Sequence, residues 1–334
     1  MRRSTLRLAK AGSALVIMGG VAVASASASP ASTSAAKRPR AVKVTKMDVG
    51  ILPVADAGGF FIAEARGYFR EQHLAVTSSI ITGGAALVPA IVSGSMTVGF
   101  SNLVSVLQAG AQNFGVQCLA GTLQKPASGH NLSLVVSPAF ASKIKSAKDL
   151  DGQTIAVNTL ANINQVVADA WLAANGANWR SVHYVAVDFP DMPAEIAKGQ
   201  VTAAITDEPF TTISLKGGAK LLAARPYQVF AKTPVFSCWL ASTRWITNHK
   251  AAAKAFVAAL NESDAYLAKH RNYLRTILPR YTSLTPALAN AISLSKISTK
   301  LSLSDLKLWQ SEAMKFGVLA HPVANLSKLI AKLK

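Results

Sequence analysis

From Val44 onward, short β-rich apolar runs alternate with amphipathic stretches, and the alternation halts and restarts near Leu132. Connections of only a few residues between such runs predict an α/β fold, with mainly parallel sheets flanked by helices. In the first series, strands are expected at Val44–Leu52, Leu74–Ile81, Thr97–Phe100 and Gly115–Ala120, with helices at Ala57–Gln72, 82–92 and Asn102–Ala111. In the second, strands at Leu132–Ser137, Thr154–Val157, Val182–Val187 and Ala203–Ile205 alternate with helices at Asn162–Asn175, Pro193–Lys198 and Pro209–Leu215. After a further strand at Phe236–Ala241 the pattern turns helical, at Lys250–His270, Tyr273–Leu278, Pro286–Leu294, Ser302–Lys315 and Asn325–Lys332.

Two sheets of this size need a real core, and the composition supplies one. Half of the 334 residues are hydrophobic and only 15% are charged, which excludes a disordered chain. The net charge of +19 invites a nucleic-acid reading, but its placement argues against one. Nine basic residues and no acid fall in residues 1–46, leaving +10 on residues 47–334, spread along the chain rather than gathered in a stripe. Arg2, Arg3, Arg7 and Lys10 precede the 13-residue apolar run Ala11–Val23, and Ala26-Ser27-Ala28 follows as a cleavage site. Residues 1–28 therefore read as a signal peptide, and the run is too short to span a bilayer. Arg2-Arg3 followed by Ser-Thr-Leu fits a twin-arginine signal poorly, which favours the general secretory route. Residues 29–40 read as a disordered basic leader. No cysteine stands at the cleavage site to carry a lipid, so an unanchored exported protein is expected, periplasmic or extracellular.

The stretches VGILPVADAGGFFIAEARGYFREQHLAV (49–76), GGAALVPAIVSGSMTVGFSN (83–102), KSAKDLDGQTIAVNTLANINQ (145–165), DFPDMPAEIAKGQVTAAITDEPF (188–210) and CWLASTRWI (238–246) occur in this order. The set resembles the substrate-binding proteins of ABC importers in the nitrate/sulfonate/taurine and thiamine-pyrimidine-precursor group, over about 41–332, nearly the whole of the expected mature chain. The resemblance implies a two-lobe type II periplasmic binding protein fold with a helical C-terminal part. Lobe 1 would be 41–130 plus 236–334, and lobe 2 would be 131–235 with hinge strands at both ends. It further implies a monomer that traps a small molecule between the lobes and delivers it to a membrane permease and its ATPase.

Ligands of open α/β sheets bind at the carboxyl ends of strands, and the loops there supply the candidate ligand-binding residues. These are Asp56, Gly83, Gly84, Ser101 and Asn102 in lobe 1, and Asn158, Thr159, Asn162, Asn164, Asp191, Met192 and Glu208 in lobe 2. Asn162 equally suits a helix N-cap, and Gly83-Gly84 suits backbone geometry alone. Phe60, Phe61, Phe189 and Trp239 suit either stacking on a ring or core packing. These loops hold acids, including Asp207, but no Lys or Arg. That favours an amine or aminopyrimidine-like ligand; a nitrate- or sulfonate-type anion held by helix N-termini, or a ligand-presenting sensor module, is the alternative.

Catalysis is not expected. Gly99-Phe100-Ser101-Asn102-Leu103 lacks the second glycine of a nucleophile elbow. Six scattered histidines make no metal-ligand spacing, and there is no P-loop or dinucleotide fingerprint, so no cofactor is expected. The two cysteines, Cys118 and Cys238, fall in predicted lobe 1 strands that lie close in the implied fold. In an exported protein they form either a disulfide or two buried thiols.

Overall fold

The structure, a computed structural model, describes residues 43–126 and 128–333. The expected signal peptide and basic leader lie outside the described residues. In chain order the first part contains β1 (Thr45–Ile51), α1 (Gly58–Arg66), α2 (Tyr68–Glu71), β2 (Leu74–Ile80), α3 (Gly84–Ser93), β3 (Val98–Asn102), α4 (Leu103–Ala111), β4 (Val116–Gly121) and β5 (Leu123–Gln124). The middle contains β6 (Leu132–Val136), β7 (Thr154–Val157), α5 (Ile163–Ala174), β8 (His183–Ala186), α6 (Met192–Lys198), β9 (Ala203–Asp207), α7 (Phe210–Lys216) and β10 (Lys220–Ala223). The last part contains β11 (Ser237–Ser242), α8 (Thr243–Asn248), α9 (Lys250–Lys269), α10 (Tyr273–Ile277), β12 (Lys296–Ile297) and α11 (Leu303–Lys315).

Two five-stranded sheets result, in the orders β2-β1-β3-β11-β4 and β10-β6-β9-β7-β8. The strands were expected to be mainly parallel. Each sheet is instead mixed, with two parallel and two antiparallel pairings. The reason is connectivity: β11 re-enters the first sheet from the second and runs antiparallel to both β3 and β4. In the second sheet, β6 is antiparallel to both β9 and β10. A bridge from Gln124 to Val235 ties together the two segments that pass between the sheets, and β5 also pairs with β12 from the C-terminal part.

Local sequence explains the breaks. The helix expected over Ala57–Gln72 is cut at Gly67, which adopts φ +80°, a conformation open to glycine, and caps α1 with its amide on Ala63 and Glu64. No helix forms over Pro286–Leu294. Arg275 donates instead to the carbonyls of Ala289 and Ile292, and Arg271 to that of Leu294, so side chains satisfy backbone that a helix would have satisfied itself. By contrast α5 follows its pattern. Asn162 caps it, and Ile163, Val166, Val167 and Ala170 form one buried face.

Cys118 on β4 and Cys238 on β11 form a disulfide, with Cα atoms 5.7 Å apart and both residues fully buried. The loop it closes contains the whole second sheet. The expected ring-stacking candidates divide. Phe60, Phe61 and Trp239 are core residues, Phe60 packing on Trp239 at 5.3 Å, and Phe189 stacks on Phe210 at 6.0 Å.

Candidate functional site

Carboxyl ends of strands from both sheets face one cavity. It is lined by Leu52, Val54, Asp56, Phe100, Asn102 and Ser237 from the first sheet and its connections, and by Asn158, Asn162, Ile163, Asn164, Phe189 and Asp207 from the second, with Phe236 between. Its volume is about 30 Å³, room for about one or two water molecules. A larger groove of about 1,090 Å³, lined in part by Asp264, Arg271, Lys296 and Asp305, lies outside this cleft, and no expected site residue lines it.

Three helix starts meet beside the cavity. At α4, Asn102 accepts the amide of Ser105 at 2.9 Å, and its own amide group donates to Ser105 Oγ at 2.9 Å. At α5, Asn162 Oδ1 accepts the amides of Asn164 and Gln165 at 3.0 and 3.3 Å. Asn162 Nδ2 donates to Asn158 Oδ1 and Thr159 Oγ1, each at 2.7 Å, and Asn164 Nδ2 donates to the same Asn158 oxygen at 2.8 Å. The third start, α3, has Gly83 at its N-cap and therefore no side chain to occupy its leading amides.

Gly83 and Gly84 are required by proximity. A Cβ on Gly84 would lie 2.8 Å from Asn102 Nδ2 and Ser101 Oγ; one on Gly83 would lie 2.7 Å from Thr159 Cγ2. The α3 start thus touches the α4 start on one side and the Asn158–Thr159 turn on the other. Asn158 Nδ2 reaches the Thr82 carbonyl at 3.4 Å, spanning from the second sheet to the first.

Of the twelve expected residues, the structure brings nine to this place: Asp56, Asn102, Asn158, Asn162 and Asn164 line the cavity, and Gly83, Gly84, Ser101 and Thr159 surround it. Three stand elsewhere. Asp191 is exposed at the start of α6. Met192 is fully buried with Ile196, one turn along, because α6 turns its apolar face to the core. Glu208 is also fully buried, but its carboxylate is taken up by Thr212 Oγ1 at 2.9 Å, the Thr212 amide at 3.2 Å and the Ser293 amide at 2.9 Å.

The largest departure from expectation is electrostatic. The loops hold no Lys or Arg, yet Lys125 from the segment after β5 enters the site. Its Nζ lies 2.5 Å from Asp56 Oδ2 and 2.9 Å from Asp207 Oδ2. Asn131 and Ser295 each donate to Asp56 Oδ1 at 3.3 Å. Burial, and then the neighbouring Asp56 charge, hold the Asp207 carboxyl well above the usual carboxylate range. Burial pulls the Lys125 ammonium down, but the Asp207 and Asp56 charges outweigh it and raise the group above the ordinary lysine value.

No curated protein sequence matches the chain. Among solved structures, the alkanesulfonate-binding protein SsuA from Xanthomonas axonopodis pv. citri, bound to MOPS, superposes with TM-score 0.68 at 20% identity, covering 88% of this chain and 96% of that one. The periplasmic nitrate-binding protein NrtA from Synechocystis PCC 6803 gives 0.70 at 15%, covering 85% and 84%. The periplasmic aliphatic sulphonate binding protein SsuA from Escherichia coli gives 0.66 at 16%, covering 86% and 92%. The sequence model of the family described as NMT1/THI5 like matches residues 55–272. With that span and these neighbours, the chain belongs to the NMT1/THI5-like family and has the fold of ABC-importer substrate-binding proteins.

Proposed function

We propose that this protein is the exported solute-binding subunit of an ABC importer. Lobe 1, residues 41–130 and 236–334, and lobe 2, residues 131–235, part to admit one small molecule and close over it, without chemistry on the ligand. The monomeric, unanchored, liganded protein is then read by a permease and its ATPase. The observation that carries this reading is the meeting of the α3, α4 and α5 starts at Gly83-Gly84, beside a cavity lined from both sheets. A cavity of about 30 Å³ in the closed arrangement requires the sheets to separate before a solute enters.

The ligand this geometry favours carries acceptor oxygens, as a sulfonate- or nitrate-type oxyanion does. The α3 start, which no side chain caps, presents backbone N–H groups and a positive dipole end, and the two acids that would repel an anion are already engaged by Lys125. The names of the alkanesulfonate- and nitrate-binding neighbours agree with that class. An aminopyrimidine-like ring is the second reading, favoured by Phe100, Phe189 and Phe236 at the cavity wall.

A thermal-shift panel of alkanesulfonates, nitrate, amines and aminopyrimidines on the mature chain tests the assignment, since a ligand that binds only the folded state raises the melting temperature. Stabilisation by at least one oxyanion and by no amine is expected. Stabilisation by aminopyrimidines alone would transfer the assignment to the second reading. Stabilisation by no member of the panel would remove both.

A further inference from the structure

Lys125 is the only Asp, Glu, Lys or Arg between Glu71 and Lys143. It is 1% exposed. Charge is costly to bury unless paired, so a lone lysine in so long an uncharged stretch calls for specific partners. They come from both sides of the cleft: Asp56 from the connection after β1, and Asp207 from the carboxyl end of β9. The lysine backbone is held by its amide on the Pro234 carbonyl at 3.0 Å, and Nζ lies 5.0 Å from the centre of the Phe236 ring. Asp56, Asp207 and Phe236 line the cavity, whereas Lys125 does not. The protein thus carries its own ammonium between two cleft carboxylates, supplied from behind the cavity wall.

We propose that Lys125 sets the specificity of the cleft by acting as a built-in substitute for a ligand cation. It fills the position between Asp56 and Asp207 that a small amine or amidine would take. The cleft therefore rejects such ligands and leaves recognition to the helix starts and amide side chains. This rests on the reading of the cleft as a solute site and adds the residue that decides the charge class it accepts. Removing the Lys125 side chain beyond Cβ takes away the ammonium that both carboxyls contact and leaves a place of its size between them, which a small ammonium ion can refill.

The test is chemical rescue. Lys125→Ala is expected to melt roughly 10 °C below the wild type, the scale of a broken buried ion pair in a chain of this size. n-Propylammonium chloride, which replaces the missing stem and ammonium, is expected to restore much of that loss in a saturable way. Tetramethylammonium chloride, which has no N–H donor, is expected to restore none, and the wild type is expected to ignore both salts. If Lys125→Ala does not fold, its refolding yield in the two salts gives the same reading, and equal yields overturn the proposal. So would a folded variant indifferent to n-propylammonium, or a wild type stabilised by it as strongly. Rescue that persists when Asp56→Asn and Asp207→Asn are added would also overturn it, because the ammonium would then be acting elsewhere. The oxyanion panel on the wild type is a separate measurement. A wild type that binds an oxyanion with no rescue of the variant rejects the role of Lys125 alone, and rescue with no oxyanion binding rejects the ligand class alone.

Discussion

The Glu208 carboxylate accepts the backbone amide of Ser293 at 2.9 Å, across 85 residues of sequence. The same oxygen lies 3.1 Å from His130 Nδ1, and the Ala55 amide donates to the Glu208 carbonyl at 2.7 Å. Glu208 therefore fastens the β9–α7 turn to the 293 loop and to the connection after β1.

Glu208→Ala is expected to destabilise the fold, by about 2–4 kcal/mol, because it strips partners from buried donors. Urea titration checks this. Ligand affinity measured well below the unfolding transition should change far less than stability does.

The same contact makes stability pH-dependent. The hydrogen bond to Glu208, opposed by partial burial, raises the His130 imidazole above its ordinary value. A group with a raised folded-state value stabilises fully below its unfolded value and loses that contribution as pH rises through the folded one. Stability should thus fall as pH climbs from about 6.5, the ordinary histidine value, and His130→Gln should flatten that slope in melting curves taken from pH 5 to 9.

Asp169 on α5 has the opposite chemistry with the same sign. Burial pushes its carboxyl up to about 7, against the hydrogen bond donated by Tyr184 Oη at 2.6 Å. The folded state favours the protonated acid, so stability is highest below the unfolded value of about 3.9 and declines as pH rises towards 7. Asp169→Asn is expected to raise the melting temperature at pH 8 and to leave it nearly unchanged at pH 4.

Gly84→Ala should separate binding from folding. The added methyl would meet Asn102 and Ser101 at 2.8 Å, forcing the α3 start away from the α4 start at a cost of about 1–3 kcal/mol. Affinity for the oxyanion identified by the panel is expected to drop at least about tenfold, or about 1.4 kcal/mol. Gly115→Ala, whose nearest neighbour would be 3.8 Å away, serves as the unaffected control in the same titration.

Replacing both cysteines by serine is expected to cost about 2–5 kcal/mol. Calorimetry of the variant against the oxidised wild type measures it. Thiol titration of denatured, unreduced protein should find no reactive group.

Much of this architecture was readable before any coordinates. The strand over Thr154–Val157 and the cap at Asn162 follow from β-branched clustering and from an asparagine placed before an apolar helical face. Nine candidate residues converge because loops at the carboxyl ends of strands share one side of each sheet. Local sequence could not show that Met192 turns inward or that Glu208 spends its carboxylate on Ser293, since both depend on partners distant along the chain. The role of Lys125 is hidden for a related reason, since its partners Asp56 and Asp207 lie 69 and 82 residues away along the chain. Its isolation in an uncharged stretch from 72 to 142 was the available signal, because a solitary charge amid core-forming sequence must find a buried counter-charge.

The Cys118–Cys238 bond has a consequence for what a protease can release from the chain. Every strand of the second sheet lies between the two sulfurs, so that one side of the cavity hangs on a closed covalent ring. A protease that nicks the chain once anywhere from 119 to 237 would release no fragment. The cut molecule would migrate as a single species on a non-reducing gel and separate in two only after thiol treatment. Damage to the second sheet can thus accumulate without loss of mass.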